Sequence, residues 1–137
     1  MEKIITIEEG RSYNFKASAF TPIQYNKLFP GRDFLRDIEM LYQTQKDLEG
    51  ENTLSMEVYE AFVRVAYTFA YQGLAPTPRQ TSEQKEFREN YPDPWEWIDT
   101  FQTFSIYNAL PEIIDLWYGG EITTATAKKN SRKPSVK

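Results

Sequence analysis

The sequence predicts a mainly helical α+β fold: an N-terminal β-hairpin, a compact bundle of about five helices and a disordered basic C-terminal tail. The hairpin is indicated by two Ile-, Thr- and aromatic-rich segments on either side of Glu9-Gly10. The helices are indicated by repeated start signals and by apolar residues at helical spacing. At 137 residues, the chain has the length of one domain.

The first segment, Lys3–Glu8, alternates loosely between apolar and polar residues, and Glu9-Gly10 supplies a turn. The second segment, Ser12–Ala17, places Tyr13 and Phe15 on one face. A lone hairpin is only marginally stable in water. We therefore expect it to pack on the helices that follow or to pair with another chain.

The first two helices have recognisable starts. Thr21 is the predicted N-cap of the first, Pro22 occupies its first helical position, and Gln24 completes a capping box. Phe29-Pro30-Gly31 ends this short helix, and Asp33 is the predicted N-cap of a longer second helix.

The third predicted helix runs from Ser55 to Gln72, and Gly73 is its predicted C-cap. Most of its circumference is apolar, and its polar residues recur every four positions in one narrow stripe: Glu60, Arg64, Thr68 and Gln72. Such a helix must be covered on several sides. Either the rest of the domain covers it or it forms a self-association surface, so a homo-oligomer is a possible arrangement.

The remaining third of the chain is less regular. Residues 74–80 form a loop, and residues 81–90 hold at best a weak helix around Phe87. Asp93-Pro94-Trp95-Glu96 repeats the cap-and-proline pattern and predicts a helix that extends to about Thr103. A last helix is predicted from roughly Ser105 to Tyr118, either kinked at Pro111 or begun just before it. We divide the chain into one domain, residues 1–120, and a flexible basic tail, residues 121–137.

Composition argues against several functional classes. The chain has no Cys and no His, so it lacks thiolate ligands and the side chain most often used for proton transfer near neutral pH. Its carboxylates are spread at helix-face spacing. We therefore expect no enzyme, no catalytic residues, no metal site and no cofactor. The N-terminus does not resemble a signal peptide and no apolar run is long enough to span a bilayer, so we expect a cytoplasmic protein without a membrane partner.

Charge is distributed unevenly along the chain. Residues 1–120 carry a net charge of −8, residues 121–137 carry +4, and no Lys or Arg occurs between Arg88 and Lys128. An acidic body argues against a nucleic-acid partner. All the tryptophans lie in the cation-free stretch, which predicts a partner-binding surface at Trp95, Trp97, Phe101, Trp117, Tyr118, Glu96, Asp99, Glu112 and Asp115.

The other interpretation of this stretch is two core helices with solvated acids, and helical spacing favours it for most of these side chains. On that interpretation, Trp95 and Tyr118 are the more exposed aromatic residues. A folded acidic body that ends in a short basic tail is typical of a protein that holds partners rather than one that catalyses a reaction.

Most of the chain resembles the tail assembly chaperones of long-tailed phages and prophages of Gram-positive bacteria, although no single motif is diagnostic. The likeness is weakest over residues 74–92. The segments that carry it are Phe15–Pro22, Tyr25–Ile38, Phe62–Tyr71, Trp97–Phe101, Ile106–Trp117 and the tail Thr124–Lys129.

This resemblance implies a protein of the infected host cell's cytoplasm that is absent from the mature virion. It implies binding to the long helical tape measure protein, which is kept soluble, and recruitment of tail tube (major tail) subunits around it. It also implies a longer form made by a programmed ribosomal frameshift, for which Lys128, Lys129 and Asn130 are the possible site, since their codons can form a slippery sequence.

Two other functions remain open at this point. The chain is alternatively a small phage- or prophage-encoded inhibitor or regulator that binds a host protein. A nucleic-acid-binding module is the third possibility.

Overall fold

The computed structural model describes residues 1–48, 55–102 and 105–119, except for the side chains of residues 47 and 48. In these residues, a two-stranded antiparallel hairpin precedes six α-helices, which confirms the predicted α+β class. The elements are β1 (Glu2–Glu8), β2 (Arg11–Lys16), α1 (Thr21–Leu28), α2 (Phe34–Leu48), α3 (Met56–Gln72), α4 (Ser82–Asn90), α5 (Pro94–Ile98), a 3₁₀ helix (Ser105–Ala109) and α6 (110–119). The predicted tail and the frameshift residues Lys128, Lys129 and Asn130 lie outside the described residues.

The hairpin turns at Gly10, whose φ of 79° is in the left-handed region that favours glycine. Ile5 is paired with Tyr13 across the strands, and an irregularity between Thr6 and Glu8 gives β1 one extra residue. The inner face buries Ile5 and Phe15 against the helices. The predicted hairpin is therefore confirmed, and it packs on the helices of its own chain.

Helix α1 begins one residue earlier than predicted. Thr21 is its first residue, and the Thr21 hydroxyl accepts a hydrogen bond from the Ser18 N–H at 2.9 Å. Phe20 occupies the N-cap position without a side-chain bond, so the predicted capping box with Gln24 is wrong. The turn before the helix uses the threonine hydroxyl, and Gln24 is buried instead.

The start of α2 agrees with the sequence prediction. The Asp33 carboxylate accepts hydrogen bonds from the backbone N–H groups of Leu35 and Arg36, at 3.1 and 3.4 Å. These bonds satisfy N–H groups that the first helical turn leaves without partners.

Helix α3 is the centre of the fold, as predicted. Ser55 caps it by accepting the Val58 N–H at 3.2 Å, and every side chain from Ala61 to Gln72 is buried. Contacts from β2, α1, α2, α4 and α5 cover it. Since the chain itself buries this stretch, α3 does not supply the self-association surface that its composition allowed. A homo-oligomer remains a prediction, but α3 no longer supports it.

Gly73 is the C-cap of α3, as predicted, but its conformation is not the reason that a glycine is needed there. Its φ of −66° is open to any residue. A Cβ atom there would lie 1.6 Å from the Asn14 carbonyl oxygen. The glycine is required because β2 crosses the end of α3 at this point, where the Asn14 side chain also donates to the Gly73 carbonyl at 3.1 Å.

Helix α4 is better formed than predicted. The Thr81 hydroxyl accepts the Gln84 N–H at 3.1 Å, and the Gln84 side chain accepts the Thr81 N–H at 3.1 Å. This is a complete capping box, and Phe87 anchors the helix in the core. Thr81-Ser82-Glu83-Gln84 is the sequence signal that the prediction passed over.

Helices α5 and α6 differ from the prediction in length. Asp93 caps α5 by accepting the Glu96 N–H at 2.9 Å, but the helix ends at Ile98 instead of near Thr103. There, the Thr100 hydroxyl donates to the Trp97 carbonyl at 2.7 Å, and the chain turns so that Phe101 enters the core. The 3₁₀ helix leads into α6, which begins directly before Pro111, the second of the two predicted alternatives.

Candidate partner-binding surface

Two residues of the predicted partner site, Trp97 and Phe101, belong to the core. Trp97 has no exposed surface and packs edge-to-face on Phe101, Tyr13 and Tyr67, with ring centroids 5.2, 5.5 and 5.8 Å apart. Phe101 is 7 % exposed. The prediction that these two rings bind a partner is therefore wrong. They hold α5 on the hairpin and α3, and their apolar spacing in the sequence was the signal for that role.

Trp117 and Tyr118 are half-buried where α6 packs on α2. The Trp117 ring lies 4.8 Å from that of Phe34, and the Tyr118 ring lies 4.7 Å from that of Tyr42. The Tyr118 hydroxyl donates to the Glu39 carboxylate at 3.0 Å. Each ring therefore joins the two helices and keeps part of its surface open to solvent.

One carboxylate of the predicted site, Glu112, is paired with a cation that the hairpin supplies. Lys3 pairs with Glu112 at 2.7 Å, and the hydrogen bond with Glu112 is the main cause of the raised pKa of Lys3. The Arg11 guanidinium lies over the Phe101 ring at 4.1 Å and donates to the Thr100 carbonyl at 3.1 Å. The stretch without Lys or Arg in sequence thus has basic neighbours in space.

Glu8 is a further carboxylate of this region that the sequence analysis did not single out. It accepts hydrogen bonds from the Ser105 hydroxyl at 2.6 Å and from the Gln102 N–H at 2.9 Å. The bond from Ser105 is the first cause of the lowered pKa of Glu8, followed by the bond from Gln102. No local pattern could reveal this pairing, since 94 residues separate Glu8 from Gln102.

Apart from Glu112 and Trp117, the predicted residues that stay accessible belong to two separate surfaces. The first, which we call the α5 surface, consists of Trp95, Glu96 and Asp99. Trp95 is 42 % exposed, and both carboxylates are exposed. This surface has one large apolar side chain with negative charge beside it.

The second surface is a groove between α2 and α6, with a volume of about 240 Å³. We call it the α2–α6 groove; it is lined by Tyr42, Gln45, Lys46, Pro111, Ile114, Asp115 and Tyr118. The aromatic rings, Pro111 and Ile114 give it apolar walls, with Lys46 on α2 and Asp115 on α6 as charged groups. Asp115 and Tyr118 belong to the predicted site, while Tyr42 and Lys46 were missed because they lie in a distant helix.

A buried polar cluster lies on the other side of α2, against α1 and α3. The Tyr25 hydroxyl donates to Asp37 at 2.5 Å and accepts from the Arg64 Nε at 3.1 Å, while an Arg64 terminal nitrogen lies 3.6 Å from Asp37. Burial is the main cause of the raised pKa of Tyr25, and the hydrogen bond to Asp37 adds to it. All three side chains are buried, so this cluster acts within the fold.

Within the described ranges, no group of three or more His, Cys, Asp or Glu side chains is placed to hold a metal ion. Among the helices described, none is long and apolar enough to cross a membrane. Comparisons with family models, with curated proteins and with solved structures find no match to this chain.

Proposed function

We propose that this protein is a tail assembly chaperone of a long-tailed phage or prophage, which binds the tape measure protein in the host cytoplasm and is left out of the mature virion. The observation that supports this most is the α2–α6 groove, where aromatic and apolar side chains lie beside Lys46 and Asp115, in the region where the sequence resemblance includes Ile106–Trp117. The proposal assigns no catalytic role, in line with a composition that lacks His and Cys.

A groove of this kind suits an amphipathic helix. In helix-in-groove recognition, apolar side chains of the ligand helix enter a cleft while its polar face stays in water. The volume of about 240 Å³ is below that of most small-molecule sites, so it holds one or two side chains and not a whole helix. A long helical partner would place anchors at helical spacing, one of them in this groove beside the contacting rings of Tyr42 and Tyr118.

The charge of the body supports the same role. Residues 1–120 carry a net charge of −8, which favours a Lys- or Arg-rich partner and makes loaded complexes repel one another. A chaperone that covers apolar helix needs both properties, because the complex must remain soluble until tail tube subunits are recruited.

The α5 surface supplies a second contact in this proposal. Trp95 is the large exposed aromatic residue of the predicted site, and tryptophan is over-represented among residues that dominate binding energy. Trp95 does not belong to the α2–α6 groove. A long ligand can contact both surfaces, whereas a ligand limited to one cleft cannot.

Co-expression tests the proposal. The tape measure protein, to be identified as a very long helical reading frame near this gene, is expected to be soluble with the wild-type chain and to precipitate with the double variant Trp95→Ala, Tyr118→Ala. Ile4→Ala together with Met56→Ala is the matched control, because these exposed side chains lie on the hairpin and at the start of α3. If the double variant folds and solubilises the partner as well as the control does, the aromatic contacts are wrong.

Affinity capture from infected or lysogenic cells separates this function from its alternative. Recovery of tape measure fragments and tail tube protein supports the chaperone. Recovery of one host enzyme in stoichiometric amount, without tail proteins, would instead support an inhibitor or regulator that acts on a host protein.

A further inference from the structure

A second cavity lies away from both partner surfaces, between α1, α3, α4 and the loop of residues 74–80. Its volume is about 280 Å³. Three glutamines, one from each of the helices, line it together with Lys16, Phe20 and Pro78. Nothing in the proposed function uses this cavity.

The glutamines are buried but not equally satisfied. Gln84 is 3 % exposed, and both ends of its amide are bonded, to the Tyr71 carbonyl at 2.9 Å and to the Thr81 N–H at 3.1 Å. Gln72 is 6 % exposed; its Nε2 donates to the Ser18 hydroxyl at 3.3 Å, while its buried Oε1 has no partner.

Gln24 is 8 % exposed and lines the same cavity. Its side-chain amide has no hydrogen bond to any residue that the structure describes. Two side chains that are more than nine-tenths buried thus have unused hydrogen-bonding capacity at one cavity. A buried polar atom without a partner is unfavourable, so Gln72 Oε1 is expected to have one, which is water or a ligand group.

The imbalance at Gln72 does not depend on which end of the amide is oxygen. If the two ends are exchanged, the oxygen accepts from the Ser18 hydroxyl and the NH₂ group is left without a partner instead. One end of the amide is unmatched in either arrangement.

We propose that this cavity binds a carboxamide group, either of a free small amide or of an Asn or Gln side chain on a bound polypeptide. A carboxamide donates to Gln72 Oε1 and accepts from the Gln24 amide, and its apolar carbons lie against Phe20 and Pro78. The complementary pattern of donors and acceptors is what amide–amide pairing requires.

Other ligand classes fit less well. A cation is repelled by the Lys16 ammonium group, which is fixed at the cavity by the Ala75 and Pro76 carbonyls, both at 3.2 Å. With Oε1 as the unmatched end of Gln72, a carboxylate has no proton to donate to it, and an apolar group leaves both glutamines unmatched. The volume is also many times the roughly 10–15 Å³ that one water needs, so a single water does not fill it.

Titration of the ¹⁵N-labelled full chain with acetamide, followed by NMR, tests the proposal. Saturable shifts of the side-chain NH₂ signals of Gln24 and Gln72 are expected, with a Kd on the order of 1–10 mM for so small a ligand. Acetate is the matched probe without a donor and is expected to bind at least about five-fold more weakly. Equal binding of acetate, or no saturable shift with any amide, overturns the proposal.

The source of the carboxamide is distinguished by a second pair of probes. N-acetyl-glutamine methylamide carries a primary carboxamide on a peptide backbone, and its alanine analogue keeps the two backbone amides but lacks that side-chain group. If the glutamine peptide binds at least about ten-fold more tightly than acetamide while the alanine analogue does not bind, a polypeptide is the source. Tighter binding of acetamide assigns the cavity to a free small amide.

Variants of the lining residues complete the test. Gln72→Met is expected to weaken acetamide binding about five-fold, whereas the exposed Gln43→Met is the matched control and leaves it unchanged. Thr77→Trp, at an exposed lining position, fills the cavity without removing a buried group and is expected to abolish binding. Wild-type affinity in a folded Thr77→Trp variant overturns the site even if Gln72→Met does not fold.

Discussion

Two positions on the same polar stripe of α3, Arg64 and Gln72, lie eight residues apart and are both about 95 % buried. Around Arg64, the charged and polar groups are matched, since Tyr25 and Asp37 bind the guanidinium and each other. Around Gln72, one end of the amide has no partner and a cavity of about 280 Å³ lies beside it.

The difference shows that burial alone does not tell what a polar residue does. A matched cluster fixes how the helices pack, because removing any member leaves a buried charge or hydroxyl alone. An unmatched amide next to open space adds little to the fold and is available to a ligand. Sequence spacing placed both residues in one stripe and gave no sign of this difference.

Truncation of an apolar residue on α3 sets the scale for this comparison. Phe62→Ala and Phe69→Ala are each expected to lower the free energy of unfolding by about 3–5 kcal/mol, because both rings are buried and would leave cavities. Urea denaturation followed by circular dichroism measures this. Melting unchanged from wild type would mean that the aromatic face of α3 is not packed as described.

The Arg64 end is expected to be nearly as sensitive. Arg64→Met should destabilise the fold by about 3 kcal/mol, since Asp37 would remain buried without its cation. Arg64→Met combined with Asp37→Leu should recover part of that loss, because no buried charge remains. A double variant whose loss equals the sum of the two single losses would show that the pair is not coupled.

The Gln72 end should tolerate the same kind of change. Gln72→Met is expected to alter the free energy of unfolding by less than about 1 kcal/mol, because the side chain loses only a long bond to Ser18. Gln84→Met, the matched comparison, should lower it by about 1–2 kcal/mol, since it removes the side-chain half of the capping box and the bond to Tyr71. Equal losses for the two glutamines would remove the contrast drawn between them.

In the cluster of Tyr25, Asp37 and Arg64, raising the pH is expected to give the smallest change in the free energy of unfolding. The pKa of Tyr25 is raised in the folded state, so the neutral hydroxyl contributes its full stabilisation of the fold below the unfolded pKa of about 10. This stabilisation is lost as pH rises towards the folded pKa. Between pH 9 and pH 11, wild type should lose about 1 kcal/mol more stability than Tyr25→Phe does. Denaturation at each pH measures the difference, and parallel curves would contradict the burial of this hydroxyl.

Local patterns predicted the elements with short-range causes. Asp33, Ser55 and Asp93 cap their helices as expected, and each bond spans at most three residues. The two errors at helix starts also have short-range causes. The Thr21 hydroxyl bonds to the preceding Ser18 N–H instead of to the helix, and the prediction for α4 did not pair Thr81 with Gln84. More attention to turn chemistry would have found both.

The candidate site was predicted less well because its arrangement depends on distant residues. Trp97 and Trp95 are two positions apart, yet one is fully buried and the other is 42 % exposed. The stretch was expected to be free of cations, but Lys3 and Arg11 reach it from the hairpin. No property of residues 93–118 alone contains that information.

The sequence by itself determined the fold class, the central position of α3 and three of the helix starts, because apolar periodicity and capping depend on neighbours within a few residues. Tertiary structure decided which aromatic rings stay accessible, where the two hairpin cations go and which polar groups of α3 are matched. These outcomes depend on contacts between residues far apart in the chain, such as the 59 residues from Asn14 to Gly73. Spacing along one helix specifies a face, whereas the elements packed against that face decide whether it holds a structural cluster or a binding cavity.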